Sequence, residues 1–400
     1  MQIADTPVIA QPGQGARDRS KLRNLLAASL AHALHDGYTD GLYAFLPTWQ
    51  AQFGLSYAGL AVVRALYYGT MGVLQVPSDR LLRRSSPSAA LILSTLVAAA
   101  GLVITALPIG FAGLCVGLAI AGVGSSIQHP RASLLVSETY GDESRGPLGV
   151  YNFSGDLGKA ALPAFAALLL PILSWRQVLG LMALLGMATA LGLVFLRPGT
   201  AAIPVRKTET VLVRRGRVGF GLLTVIGSLD TATRMGYLLF LPFLIEGRGG
   251  TSATVGLALA LVFIGGAFGK ATCNWLGQHI GVAGGVIATE AATALLITIT
   301  LFTPLSATLV ILPLLGIVLN GTSSLLYGTV PELAPDGDTG KAFAIFYTSV
   351  IGSGGLSPVV YGAIADHSNR TIGVLAAAAT AALVIPFMLA LRRPLQSASG

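Results

Sequence analysis

Long apolar runs, broken by short polar or Pro- and Gly-bearing turns, recur along the whole chain. Crossing ~30 Å of hydrocarbon as a helix takes roughly 20 apolar residues. Stretches that meet this length fall at 22–46, 56–77, 88–107, 109–130, 147–171 and 176–196, and again at 218–245, 251–272, 281–302, 304–326, 342–365 and 371–391. Inside a bilayer every backbone N–H and C=O must be paired within its own segment, so such runs are helices rather than open strands. The alternation over about ten residues that marks a membrane β-barrel is absent. The pattern predicts an all-α polytopic membrane protein with twelve transmembrane helices and almost nothing left for a soluble domain.

Composition agrees. Of 400 residues 53% are hydrophobic and only 10% charged, too little polar surface to cover a water-soluble globule. The net charge of +8 does not point to nucleic acid, because the positive residues follow topology instead of clustering on a folded face. With both termini in the cytoplasm, Arg17, Arg19, Lys21, Arg23, Arg80, Arg83, Arg84, Arg145, the Arg197–Arg217 loop, Lys270, Lys341, Arg392 and Arg393 lie inside, and Arg176, Arg248 and Arg370 outside. This is the positive-inside bias, and it predicts a multi-pass protein of the plasma (inner) membrane. Residues 1–20 lack the apolar core of a signal peptide and are expected to form a disordered cytoplasmic tail. Cys115 and Cys273 fall in different helices without metal-ligand spacing and are expected to be small buried residues.

The longest polar interruption, 198–217, divides the helices six and six. Shifting the chain on itself by 195 positions pairs Gly41 with Gly236, Phe45-Leu46-Pro47 with Phe240-Leu241-Pro242, Ser56 with Thr251, Pro163 with Pro358 and Arg197 with Arg392. A common offset predicts two parallel repeats with a site near the midplane between them. The expected organisation is a tail (1–20), a six-helix bundle (21–197), a basic cytoplasmic linker (198–217), a second six-helix bundle (218–393) and a cytoplasmic tail (394–400).

The loop Pro77-Ser78-Asp79-Arg80-Leu81-Leu82-Arg83-Arg84 resembles a degenerate copy of the acidic-then-basic loop that follows the second helix in the major facilitator superfamily, without its leading glycine. The segment Gly122-Val123-Gly124-Ser125-Ser126-Ile127-Gln128-His129-Pro130-Arg131-Ala132-Ser133 is similar to the fourth helix of the fosmidomycin-resistance-like branch, and His32 to Asp36 is a second echo. Arg131 stands where that branch carries an acidic residue, and Asp156 and Lys159 where a glycine-rich stretch is usual. The resemblance implies a fold of two pseudo-symmetric bundles, alternating access, and conformational gating by Asp79, Arg80 and Arg83.

Ionisable side chains at membrane depth are costly unless they face a partner or a cavity. Here they fall in helix one (His32, His35, Asp36, Asp40), two (Arg64), four (His129, Arg131), five (Asp156, Lys159), seven (Asp230, Arg234) and nine (Glu290), while helices three, six and twelve have none in their interiors. His32, Asp36 and Asp40 recur every four residues and so share one helix face. Neighbouring carboxylates repel each other's charge, which favours a proton on one of them. Asp36 is therefore the expected proton-coupling carboxylate, with Asp40 second and His32 or His35 assisting; the competing reading ties Asp36 or Asp40 to Arg64 as a purely structural pair.

Arg234 either pairs with Asp230 four residues away or presents its planar fork to an anionic substrate. Asp156 and Lys159 pose the same choice, with a structural pair favoured. The substrate-binding set expected is Arg64, His129, Arg131, Asn152, Asp156, Asp230, Arg234, Asn320 and Tyr347, although interhelical hydrogen bonding competes for Asn152, Asn320, Tyr347 and Ser353, and snorkelling for Arg131. Glu290 is expected at the headgroups or against a neighbouring helix.

Gly265, Gly269 and Lys270 imitate a phosphate loop, but the spacing is one short and Ala271 follows the lysine. Zinc spacing, a nucleophile elbow and a nucleotide fingerprint are absent, so no catalytic residue, metal or cofactor is expected and the chain is not an enzyme. The expectation is a proton-coupled secondary transporter, monomeric, with a small-molecule substrate, protons and the bilayer as partners and no nucleic acid. It would export a small charged, anionic or drug-like compound. The alternatives are a symporter importing an organic anion or metal chelate, and a membrane receptor or scaffold.

Overall fold

Four of the crossings begin at a small hydroxyl residue that caps the helix. Ser56 accepts from the N–H of Gly59, Ser86 from that of Ala89, Ser174 from that of Gln177 and Thr251 from that of Thr254, each satisfying a donor that the first helical turn leaves open. Ser56 and Thr251, 195 positions apart, cap equivalent helices in the two halves, so the offset in the sequence is an offset in structure.

The computed structural model describes residues 14–82, 84–199 and 217–399; among them every regular element is helical. The first half comprises α1 (Gln14–Gly41, continued by the 3-10 turn Leu42–Phe45 and the short helix Leu46–Phe53), α2 (Tyr57–Leu81), α3 (Pro87–Ala106), α4 (Gly110–Tyr140), α5 (Arg145–Leu169) and α6 (Trp175–Leu196). The second comprises α7 (Arg217–Glu246), α8 (252–280), α9 (282–302), α10 (Leu305–Thr329), α11 (Thr339–His367) and α12 (Arg370–Ser399). Helices α8 and α9 are separated by Gly281 alone, whose φ of 76° is a left-handed conformation that glycine adopts without strain.

The helices begin earlier and end later than the apolar runs. α1 starts at Gln14, inside the segment expected as tail, and α12 continues to Ser399. The expected tail 1–13 and linker residues 200–216 lie outside the described residues. Among the described residues seven helical stretches are long and apolar enough to cross a membrane by length and composition, one of them the broken Ser252–Phe302, which is long enough for two crossings. The four long helices that fall short, α1, α2, α5 and α7, are those that carry Asp36 and Asp40, Arg64, Asp156 and Lys159, and Asp230 and Arg234. Their polarity belongs to an inner face.

At the end of the molecule that carries the α1–α2 and α11–α12 loops the two halves are sealed together. Phe45 stacks on Trp49 at 5.7 Å, Trp49 meets Trp175 edge-on at 6.0 Å, and Tyr57 of the first half stands edge-on to Phe240 and Phe243 of the second at 5.4 and 5.1 Å. Gly362 of α11 lies so close to α2 that an added Cβ would come within 2.6 Å of the Ala58 nitrogen, and Asp366 accepts hydrogen bonds from the backbone N–H of Tyr57 (2.8 Å) and Ala58 (2.9 Å). Deeper in, the Lys159 and Lys270 side chains are 29% and 38% exposed despite standing mid-helix. Exposure of this extent in mid-helix lysines is what a hollow between the halves, open at the other end, would give.

Candidate functional site

The site starts from two missing side chains. An added Cβ on Gly158 would strike the Ala33 carbonyl, and one on Gly155 would strike His32 and Asp36, so α5 packs against α1 at backbone distance in the manner of small-residue membrane interfaces. That closeness lets Lys159 Nζ stand 3.1 Å from Asp36 Oδ2. His32 Nε2 and His129 Nε2 approach the two oxygens of the same carboxylate, each at 3.6 Å. Tyr151 stacks on the His32 ring at 4.0 Å, and the two imidazoles meet edge-on at 5.3 Å. Asp36 is buried. The lysine is within hydrogen-bond reach; the imidazoles stand just beyond it.

From Lys159 the charges continue. Its ammonium lies 3.7 Å from Asp156 Oδ1, and Asp156 Oδ2 accepts a 2.6 Å hydrogen bond from Lys270 Nζ of α8. The sequence Asp36, Lys159, Asp156, Lys270 thus alternates in sign and crosses from one half to the other. Lys270, read above as an inside positive and as part of a failed phosphate loop, is in this chain because Gly265 and Gly269 bring α8 against the carbonyls of Pro313 and Ile317 on α10 and orient its outer face to α5. A lone cation in an otherwise apolar helix was the signal for it.

Asp36 and Asp40 share a face of α1 as expected but take separate partners. Asp40 Oδ1 lies 3.6 Å from Arg64 Nη2, and the Arg64 guanidinium covers the rings of Tyr43 (4.2 Å) and Tyr68 (5.1 Å) and donates to Met235 Sδ at 3.5 Å. Arg64, expected to meet substrate, is 2% exposed and engages its guanidinium with Asp40, the two rings and Met235, with its Nε buried and unpartnered. His35 faces away from Asp36, with Nδ1 2.7 Å from Ser125 Oγ and Nε2 3.4 Å from Thr95 Oγ1 inside the first bundle.

Arg131 turns to the α2–α3 loop instead of the hollow. It lies 3.6 Å from Asp79 and donates to the carbonyls of Leu82 and Ser85. Two of the residues expected to gate, Asp79 and Arg80, are thereby placed: Asp79 in this clamp, Arg80 exposed to its side; Arg83 lies outside the described residues. Asn320 donates to the Gly316 carbonyl and fills the space left by Gly266, between α8 and α10. Asn152 is exposed, and Tyr347 packs at 4.9 Å from Tyr327. Ser353 bonds the Ser228 carbonyl (α11 to α7), and Ser154 bonds that of Ser29 (α5 to α1), the same kind of contact in each half.

Asp230 and Arg234 do not close an ion pair within 4.0 Å. Arg234 faces Asp230, Tyr68, Tyr327 and Asp40, with its Nε buried and unpartnered. Glu290, expected at the headgroups or against a neighbour, is 1% exposed and meets Asp230 of α7. His32, Asp36 and His129 bring one ligand atom each to within 4.8 Å of one another, the donor set of a metal site, but Lys159 already supplies the positive charge at Asp36, and a divalent ion there would stand beside an ammonium.

The pattern of the Major Facilitator Superfamily matches residues 28–229, about half of the chain. The chain belongs to the Major Facilitator Superfamily. It is thus a multi-pass membrane protein and a secondary transporter, not an enzyme. This facilitator is 23% identical over 380 residues to the fosmidomycin resistance protein of Escherichia coli (strain K12), covering 91% of each chain. It is 21% identical over 386 residues to the probable L-galactonate transporter of the same organism, covering 87% of this chain and 84% of that one. Among solved structures it is similar to a bacterial homologue of the human lysosomal transporter Spinster in an inward-facing, unoccupied conformation, with a TM-score of 0.77 and 16% identity over 95% of this chain and 98% of the other. A POT family transporter in complex with 5-aminolevulinic acid gives a TM-score of 0.75 at 12% identity, over 94% and 97%. At these identities the structures share the fold.

Proposed function

We propose that this facilitator is a proton-coupled transporter of the plasma membrane, working as a monomer by alternating access and exporting a small charged, anionic or drug-like compound in exchange for protons. The observation that carries the reading is the Asp36–Lys159–Asp156–Lys270 chain across the two halves. When Asp36 is ionised it holds Lys159. A proton on Asp36 releases Lys159, whose remaining acidic neighbour is Asp156, and the two lysines then compete for that carboxylate. The link between the halves loosens, and a two-state equilibrium shifts with the protonation of one group.

A solute carrying a positive group competes with the proton for Asp36, which is exchange, while its acidic group is met by Arg234, a guanidinium with no carboxylate within 4.0 Å among the described residues. The resistance named for the similar Escherichia coli protein supports export. His129 and Asp156 line the same hollow. The positive-inside bias supports two cytoplasmic termini, hence a hollow open to the cytoplasm, with 21–197 and 218–393 as the moving bodies and the Asp79–Arg131 clamp as a gating element.

One observation favours a second reading. For an anion, a proton on Asp36 frees Lys159 to bind it, so proton and anion bind together, which is symport. The test is purified protein in liposomes with a pH-sensitive dye, screened against phosphonates, organic anions and cationic drugs beside Asp36→Asn. Substrate-driven proton flux that disappears in the variant supports coupling at Asp36; opposed fluxes indicate exchange and parallel fluxes symport. Equal proton movement in variant and wild type removes Asp36 from the mechanism, and solute flux without protons removes coupling altogether.

A further inference from the structure

Glu290 stands on α9, a peripheral helix with no other acidic or basic side chain, and yet it is 1% exposed; Asp230 of α7, against which it packs, is 3% exposed. The two carboxyl groups face one another, and the Thr322 hydroxyl of α10, which donates to Thr289 at 2.9 Å, stands beside Glu290. The far oxygens, Asp230 Oδ2 and Glu290 Oε2, are buried with no partner. Carboxylate oxygens are acceptors only when ionised; two of them can bond to each other only through a proton.

The surroundings do not offer another way to neutralise both. Arg234, one turn along α7, is the nearest cation and lies beyond ion-pair distance of Asp230. The remaining titratable groups that face the pair are Cys273 of α8 and Tyr327 of α10, neither of which carries positive charge. One cation at a distance offsets at most one of two buried negative charges, and like charges in contact in an apolar bundle disfavour double ionisation strongly.

We infer that Asp230 and Glu290 form a second proton-binding site, in the half of the molecule opposite to Asp36, that holds one proton between two carboxyl groups and exchanges it with the hollow through Asp230. Glu290 is the sealed member. Asp230 is the exchanging member, because it also lines a narrow cleft with Gly227, Thr231, Ser323, Tyr327 and Phe346. Arg234 faces Asp230, so an anion neutralising that guanidinium strengthens the pair's hold on its proton. The site is independent of the role assigned to Asp36.

The test is infrared spectroscopy of the full chain in liposomes, without solute or gradient, in an Asp36→Asn background, titrated in H2O and D2O. A protonated-carboxyl band that shifts in D2O, declines as pH rises and vanishes in Glu290→Gln is the expected result. In Asp230→Asn the band is expected to persist at a shifted frequency, because Glu290 then keeps the proton alone. A band missing at neutral pH, one that Glu290→Gln leaves unchanged, or one that does not respond to pH overturns the site. Glutamine keeps the size and donor capacity of protonated glutamate, and unchanged melting of that variant certifies its fold. Because no transport is measured, a failure of Asp36 coupling leaves this result untouched.

Discussion

Replacing Asp366 with alanine is expected to open the sealed end. Its carboxylate, at the last turn of α11, accepts two backbone N–H bonds at 2.8 and 2.9 Å from the first turn of α2 in the other half. It is thus a helix cap supplied in trans between halves. Removing a side-chain cap costs about 0.5–2 kcal/mol, and Asp366 is exposed, which places the loss near ~1 kcal/mol. Both bonds exist only while α2 and α11 touch, so the whole loss falls on the sealed state; ~1 kcal/mol moves a two-state ratio by about fivefold. The assay is the distance distribution between spin labels at positions 51 and 369, after replacement of Cys115 and Cys273. A long-distance population that grows about fivefold fits the estimate, and Asp366→Asn, which keeps one good acceptor, is expected to fall between. An unchanged distribution in Asp366→Ala refutes the idea that this cap contributes to the closure.

Three further outcomes follow from the same geometry. Lys270→Met leaves Asp156 with Lys159 at 3.7 Å, so a loss of about 1–2 kcal/mol is expected, below the usual cost of orphaning a buried charge, together with a greater population of separated halves; melting and label distances read both. Gly158→Val pushes α1 from α5 at the Ala33 carbonyl and breaks the Lys159–Asp36 contact, costing about 1–3 kcal/mol by overpacking, visible as a lowered melting temperature and lost transport. Arg64→Lys keeps the charge at Asp40 but loses the planar cover on Tyr43 and Tyr68, with an expected loss of about 1–2 kcal/mol in thermal melting.

The all-α, polytopic character of the chain was legible because bilayer thickness forces a length and a polarity on each crossing. The repeat was legible from turn chemistry, since Ser56 and Thr251 must cap helices in equivalent places. Asp36 was legible because charge in an apolar run is its own signal. What remained hidden were partners. The spacing of Asp36 and Asp40 gives their shared face but not that Arg64 goes to one and Lys159 to the other. Arg131 and His129 are two residues apart and so diverge by a large angle around α4, one to a loop and one to Asp36, which side the sequence does not state. Lys270 was read as a residue of the membrane boundary because the helix limit drawn from hydropathy ends at 272 while α8 continues past it, and for Glu290 the sequence left open the headgroups or a neighbouring helix, of which the structure has the second.

The polarity of α5 has a consequence for how the chain is made. A charged residue at the centre of a helix costs about 2.5–3.5 kcal/mol on entry into the bilayer, and α5 carries both Asp156 and Lys159, falling short of the apolarity that α3, α4 and α6 possess. It is not expected to settle in lipid by itself. The Lys159–Asp36 contact gives it a destination already present when it is synthesised, since α1 emerges first. Its second counter-charge, Lys270, arrives only with α8, after the whole first half is in place. Asp156 must wait for it with Lys159 as its sole neutralising partner, so the order of synthesis and the order in which these charges find each other are the same.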